Sequence, residues 1–133
     1  MKTKICNLLA HGDDRGQLIV IEEYKDIPFE IKRVYYMYDT VNYAIRGKHA
    51  HKSLEQMLIC TSGSCKVLLD DGKEKQVIEL NKPYEGLYIS NAIWREMYDF
   101  SDGAVLMVLA SDFYDESDYI RDYNEFLKYI GNK

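Results

Sequence analysis

The sequence predicts an all-β protein, a sandwich or barrel of antiparallel strands followed by a short C-terminal helix. Two observations support this. From Gln17 to Met107, short β-branched and aromatic segments alternate with turn residues, and after Asp112 the apolar residues change to helical spacing. With 133 residues and no repeats or low-complexity linkers, the chain is expected to form one domain, residues 1–133, with a core that needs no staples.

Strands are expected at 17–22, 32–38, 47–51, 55–61, 64–70, 75–80, 86–89, 95–100 and 104–110. In 32–38 the period of two places Arg33, Tyr35 and Met37 on one face and Val34, Tyr36 and Tyr38 on the other. Ser62-Gly63 closes the hairpin between the fourth and fifth strands, and Asp71-Gly72 is the turn after the fifth. Asn81-Lys82-Pro83 ends the sixth, because proline cannot donate to a ladder. The helix is expected from Asp118 onward, with Tyr119, Tyr123, Phe126, Leu127 and Ile130 forming a stripe read as a packing face.

The run Arg46-Gly47-Lys48-His49-Ala50-His51 puts two imidazoles two residues apart on a strand, where both project from one face. Such a pair suits proton handling or metal ligation; the plain alternative is a hydrogen-bonded core or surface position. A divalent ion here would use His49, His51 and Glu55 and would want a further ligand, but Arg95 stands where that ligand should fall and has no lone pair to offer. A tightly bound functional metal is therefore not expected. Arg33 points either into the barrel, where it needs an anion, or outward as an ordinary surface group. Arg46 could present a forked guanidinium to a phosphate or form a surface ion pair.

Seventeen basic against 22 acidic residues give a formal charge of −5, which argues against a nonspecific nucleic-acid surface. No apolar run is long enough to span a bilayer and the first residues lack the core of a secretory signal, so a cytoplasmic protein without membrane contact is expected. The three cysteines fit a reducing compartment and match no zinc spacing. Cys60 and Cys65 flank a turn and are read as buried thiols.

The histidine pair followed by Glu55 and Gly63 resembles the first signature of the cupin superfamily, and Asn91-Ala92-Ile93-Trp94-Arg95 a degraded second one. Within that superfamily the chain closely resembles bacterial nucleotide-sugar 3,4-ketoisomerases acting on dTDP-4-keto-6-deoxyglucose. The likeness covers almost the whole length. It rests on Ile27-Pro28-Phe29, the Ile31 to Tyr36 run, Arg46 to Lys52, Gly86 to Ile89, Trp94 to Met97, Val108 to Ser111, Tyr114-Asp115-Glu116 and Asp118 to Arg121.

The resemblance implies a cupin double-stranded β-helix, or jelly-roll barrel, in a homodimer without metal or redox cofactor. By the same resemblance His49 removes the C3 proton, Tyr35 is the catalytic acid, and His51 shuttles a proton between the C3 hydroxyl and the C4 oxygen. By charge and facing, Arg33 and Arg46 are the candidates for the diphosphate. Arg15 and Arg95 occupy positions that in the resembled family track the C4 configuration of the product; this chain has one marker from each branch, and the galacto product is the expectation. The competing readings are a dTDP-sugar 3,5-epimerase, a metal-dependent oxygenase and a non-catalytic sugar-nucleotide-binding protein.

Overall fold

The computed structural model describes residues 1–131. The strands are β1 (Thr3–Asn7), β2 (Ala10–Asp13), β3 (Gly16–Ile19), β4 (Arg33–Met37), β5 (Arg46–His51), β6 (Gln56–Ser62), β7 (Cys65–Asp70), β8 (Lys75–Leu80), β9 (Glu85–Ile89), β10 (Trp94–Tyr98), β11 (Val105–Ala110) and β12 (Tyr119–Ile120). A 3-10 turn at Glu116–Asp118 precedes β12, and helix α1 covers Tyr123–Gly131. Two antiparallel sheets face each other, with strand orders β1-β9-β6-β11-β4 and β12-β5-β10-β7-β8; β2 and β3 form a separate exposed hairpin.

Alternation along the strands decides what lies between the sheets. Leu58 and Cys60 from β6, Val67 and Leu69 from β7, and Leu106 and Val108 from β11 point inward and form the main core. Their neighbours Met57, Ile59 and Leu109 point outward, where Ile27 and Phe29 from the chain before β4 cover them. Gly72 turns β7 into β8 at φ +90°, and any Cβ there would meet Ile130 of the helix. Cys60 and Cys65 are free and buried in the core.

Three expectations need correction. The N-terminal segment contributes β1, which pairs with β9, and β2, while the run expected at 17–22 stops at Ile19. Strand β10 ends before Asp99, which takes a positive φ of 58°. The helix starts at Tyr123, with Asp122 capping it by accepting from the Glu125 amide at 3.1 Å. Before it, Tyr119 and Ile120 are extended and pair with His51 and Ala50 of β5. Tyr123 and Phe126 do pack as expected, on Trp94 at 5.4 and 5.9 Å between ring centres.

Candidate active site

The site lies on the inner face of β5, β10 and β12, opposite β4. Gly47 and Lys48 both have positive φ, 83° and 54°, and two residues of β5 advance against one of β10: His49 stands opposite Arg95 and Gly47 opposite Glu96. This bulge bends the strand as it reaches the histidines. Glycine suits position 47 by its φ, and a Cβ there would also sit 2.9 Å from the Met97 sulfur and 3.2 Å from the Arg95 carbonyl, which would have to give way.

Beyond the bulge, His49 and His51 face the same side with ring centres 4.8 Å apart, in an edge contact. His49 Nδ1 lies 3.0 Å from the Gly47 carbonyl. His51 Nδ1 lies 3.2 Å from the Asp118 carboxylate, which also accepts from the Ser53 amide at 2.8 Å. A carbonyl can only accept, so His49 holds its hydrogen on Nδ1 and leaves the Nε2 lone pair open. The same holds for His51 opposite the Asp118 carboxylate, and its Nε2 is buried without a hydrogen-bond partner among the described residues. Burial first, and the Arg95 cation second, depress His49 to about 4. The same two causes depress His51, so both rings are neutral bases near neutral pH.

Tyr35 faces them from β4, with Arg33 two residues before it and the outward Val34 and Tyr36 exposed. Burial raises the phenol above its ordinary range, so it keeps its proton. Beneath the pair lies Arg95, 1% exposed, giving Nε and Nη2 to the Ile93 carbonyl at 3.2 and 3.1 Å and Nη1 to Gln56 Oε1. Gln56 in turn gives Nε2 to the Tyr35 oxygen at 2.9 Å.

Tyr119 from β12 packs against both imidazoles, 5.0 Å from His49 and 4.4 Å from His51, and Arg121 lies over its ring at 4.2 Å. A hollow of about 450 Å³ opens in front of Tyr35, Arg46, His49 and Arg121. A smaller one of about 170 Å³ adjoins it beside His51, Ser53, Ser111 and Asp118; Arg33 and Tyr119 border both. The two histidines, whose rings touch each other and Tyr119, therefore line neighbouring hollows that share Arg33 and Tyr119.

The structure thus brings together His49, His51, Tyr35, Arg33 and Arg46. Arg33 has a buried Nε without a hydrogen-bond partner among the described residues, and its guanidinium lies over the rings of Tyr35 and Tyr114. Arg95 is under the floor and lines neither hollow, so in this chain it is a support for the site instead of a wall of it. Arg15 is not brought in: it lies on the exposed β2–β3 hairpin, paired with Asp13 at 2.6 Å. Glu55 turns to Tyr88, whose hydroxyl donates to it. Among the described residues no three histidine, cysteine or acidic side chains gather closely enough to hold a metal ion.

Gln56, Asp118, Tyr119 and Arg121 are site residues that the sequence does not assign: Asp118 to Arg121 appear there only as part of the resemblance, and Tyr119 as part of the helical stripe. For Tyr119 and Arg121 the signal was a period of two, which the helical spacing of the later aromatics concealed.

The family model described as FdtA, WxcM-like, C-terminal, matches residues 1–131. A curated protein of Aneurinibacillus thermoaerophilus, TDP-4-oxo-6-deoxy-alpha-D-glucose-3,4-oxoisomerase, is 57% identical over 98% of this chain and 94% of its own length. The TDP-quinovose 3,4-ketoisomerase of Campylobacter jejuni is 58% identical, with a TM-score of 0.92 over 96% of this chain and 98% of that one. A histidine-to-asparagine mutant of the Thermoanaerobacterium thermosaccharolyticum 3,4-ketoisomerase, solved with TDP-4-keto-6-deoxyglucose, is 45% identical, with a TM-score of 0.96 over 98% of this chain and 95% of that one. With its cupin-type barrel, its matched length and these relatives, the chain belongs to the FdtA, WxcM-like family of sugar 3,4-ketoisomerases.

Proposed function

We propose that the protein converts TDP-4-keto-6-deoxyglucose to a TDP-3-keto-6-deoxyhexose by acid-base proton transfer. The observation that supports this best is the pair of neutral imidazoles, each with Nδ1 engaged and with no hydrogen-bond partner at Nε2 among the described residues, beside a protonated phenol and a buried cation. A C–H next to a ketone is too weakly acidic to leave unaided, so the site must accept the proton and stabilise the enediolate oxygen together.

His49 takes the proton from C3 and returns it to C4. Tyr35 holds its hydrogen against the C4 oxygen as charge develops there and keeps that hydrogen over the whole cycle, while His51 carries the single hydroxyl proton from the C3 oxygen to the C4 oxygen. Each such transfer contributes on the order of 10²–10⁴ in rate. Arg33 and Arg46 border the larger hollow and hold the diphosphate, Arg33 with an Nε that has no partner among the described residues; Arg121 borders it too, but its guanidinium is paired with Glu116.

The enzyme works as a cytoplasmic homodimer. The free edge of β4 and its exposed face of Val34, Tyr36 and Tyr38 support the dimer, and sedimentation velocity giving twice the chain mass tests it. No helix among the described residues is long and apolar enough to cross a membrane, and the charge of −5 offers nucleic acid no favourable surface.

The decisive experiment is NMR of the product formed in D₂O and trapped by amination. Deuterium at C4 of a 3-keto sugar supports the reading. Deuterium at C5 identifies an epimerase, and saturable binding without exchange at C3 identifies a sensor. The same spectrum reads the C4 configuration. Arg15 favours the galacto product, while the buried Arg95 is the marker of the other branch.

A further inference from the structure

A phenol can give one hydrogen and can also accept, and inside a barrel its neighbours decide which it does. Around Tyr35 that decision is traceable to Gln56, a buried amide on β6 that is 1% exposed. A guanidinium has donors only, so the Gln56 oxygen must face Arg95, and Arg95 is itself held by the Ile93 carbonyl. The Gln56 nitrogen is then turned to Tyr35, 2.9 Å from its oxygen. An amide N–H can only donate, so the Tyr35 oxygen accepts. Its own hydrogen is left over, finds no protein acceptor among the described residues, and belongs to a ring that lines the larger hollow with His49.

We propose that Gln56 is a positioning residue: locked in one orientation by Arg95, it keeps the Tyr35 hydroxyl as a donor aimed at the sugar. Arg95 then acts on the reaction through Gln56 without touching substrate. The catalytic meaning of this rests on the ketoisomerase reading, whereas the direction of the hydrogen bond does not.

Gln56→Glu keeps the shape and replaces the donor with an acceptor, so Tyr35 would turn its hydrogen to the carboxylate. The expected result is a fall in kcat of about 100-fold with KM changed less than about threefold. In a Tyr35→Phe background the same substitution should change kcat less than about threefold, and equal losses in both backgrounds overturn the proposal. Gln56→Met, which has no donor, is the second variant for the same cycle, with its loss again confined to the background that retains Tyr35.

A readout free of turnover comes from tyrosine labelled with ¹³C at Cζ, the Tyr35 signal being the one missing in Tyr35→Phe. In Gln56→Glu that signal should titrate at higher pH than in the parent, and an unmoved titration overturns the proposal. A moved titration in a protein that does not isomerise the sugar upholds the hydrogen bond and removes the ketoisomerase reading instead.

Discussion

His49 and His51 differ in what holds them, and the difference sets how each should respond to change. His49 leans on a backbone carbonyl, which no substitution removes; His51 leans on Asp118, which one substitution does. Asp118→Asn can offer an N–H to His51 and invert its tautomer, moving the hydrogen to the nitrogen that needs a free lone pair. We expect kcat to fall about 10²-fold or more with KM little changed, measured by coupled turnover. His49→Asn should abolish turnover with the far-ultraviolet spectrum intact. Because burial and Arg95 hold His49 at about 4, the base stays neutral far below the ordinary histidine range. The acid limb of kcat/KM is therefore expected near pH 4, and a limb near 6.5 would contradict the environment described for this ring.

At the scale of the element, β5 shows how much could be read before folding. The same-face placement of the histidines and of Arg33, Tyr35 and Met37 follows from the strand period alone, whereas which of the two faces turns inward at Arg33 is settled only by the fold. The bulge at Gly47-Lys48 does not follow from that period, because an extra residue is visible only when the register with β10 is known. Nor does β12: Tyr119, Tyr123 and Phe126 recur at a spacing that fits a helix, but Asp118 ties the chain to Ser53 and His51 and so holds Tyr119 in a strand. Arg15 and Arg95 could be marked from the sequence, yet only the fold shows one on an outlying hairpin and the other beneath the floor. Gly47→Ala tests the bulge directly. With φ at +83° and the Met97 sulfur and Arg95 carbonyl close to the added methyl, it should cost about 1–3 kcal/mol in urea unfolding and lower kcat by displacing His49.

Across the whole molecule, the buried histidines couple stability to pH. Unfolded, His49 takes a proton near 6.5; folded, it does so only near 4, so between these values the unfolded chain binds more protons. Stability is thus fully present above about pH 6.5 and is lost as pH falls toward 4, with a slope of about 1.4 kcal/mol per pH unit for each such histidine. His51 acts in the same direction. Urea midpoints taken at pH 7 and pH 5 should differ accordingly, and the difference should shrink in His49→Asn.

Arg95 has one more consequence. Its hydrogen-bond partners among the described residues are the Ile93 carbonyl and the Gln56 amide, neither of them charged, so a buried cation is held in the barrel with no carboxylate in direct contact. The positive charge of this guanidinium favours a planar oxyanion over a neutral ketone beside it. An acidic, flat-ringed TDP-sugar mimic should accordingly be an inhibitor at least about 100-fold tighter than the ketone it imitates. Calorimetric titration of Arg95→Gln should find most of that preference gone.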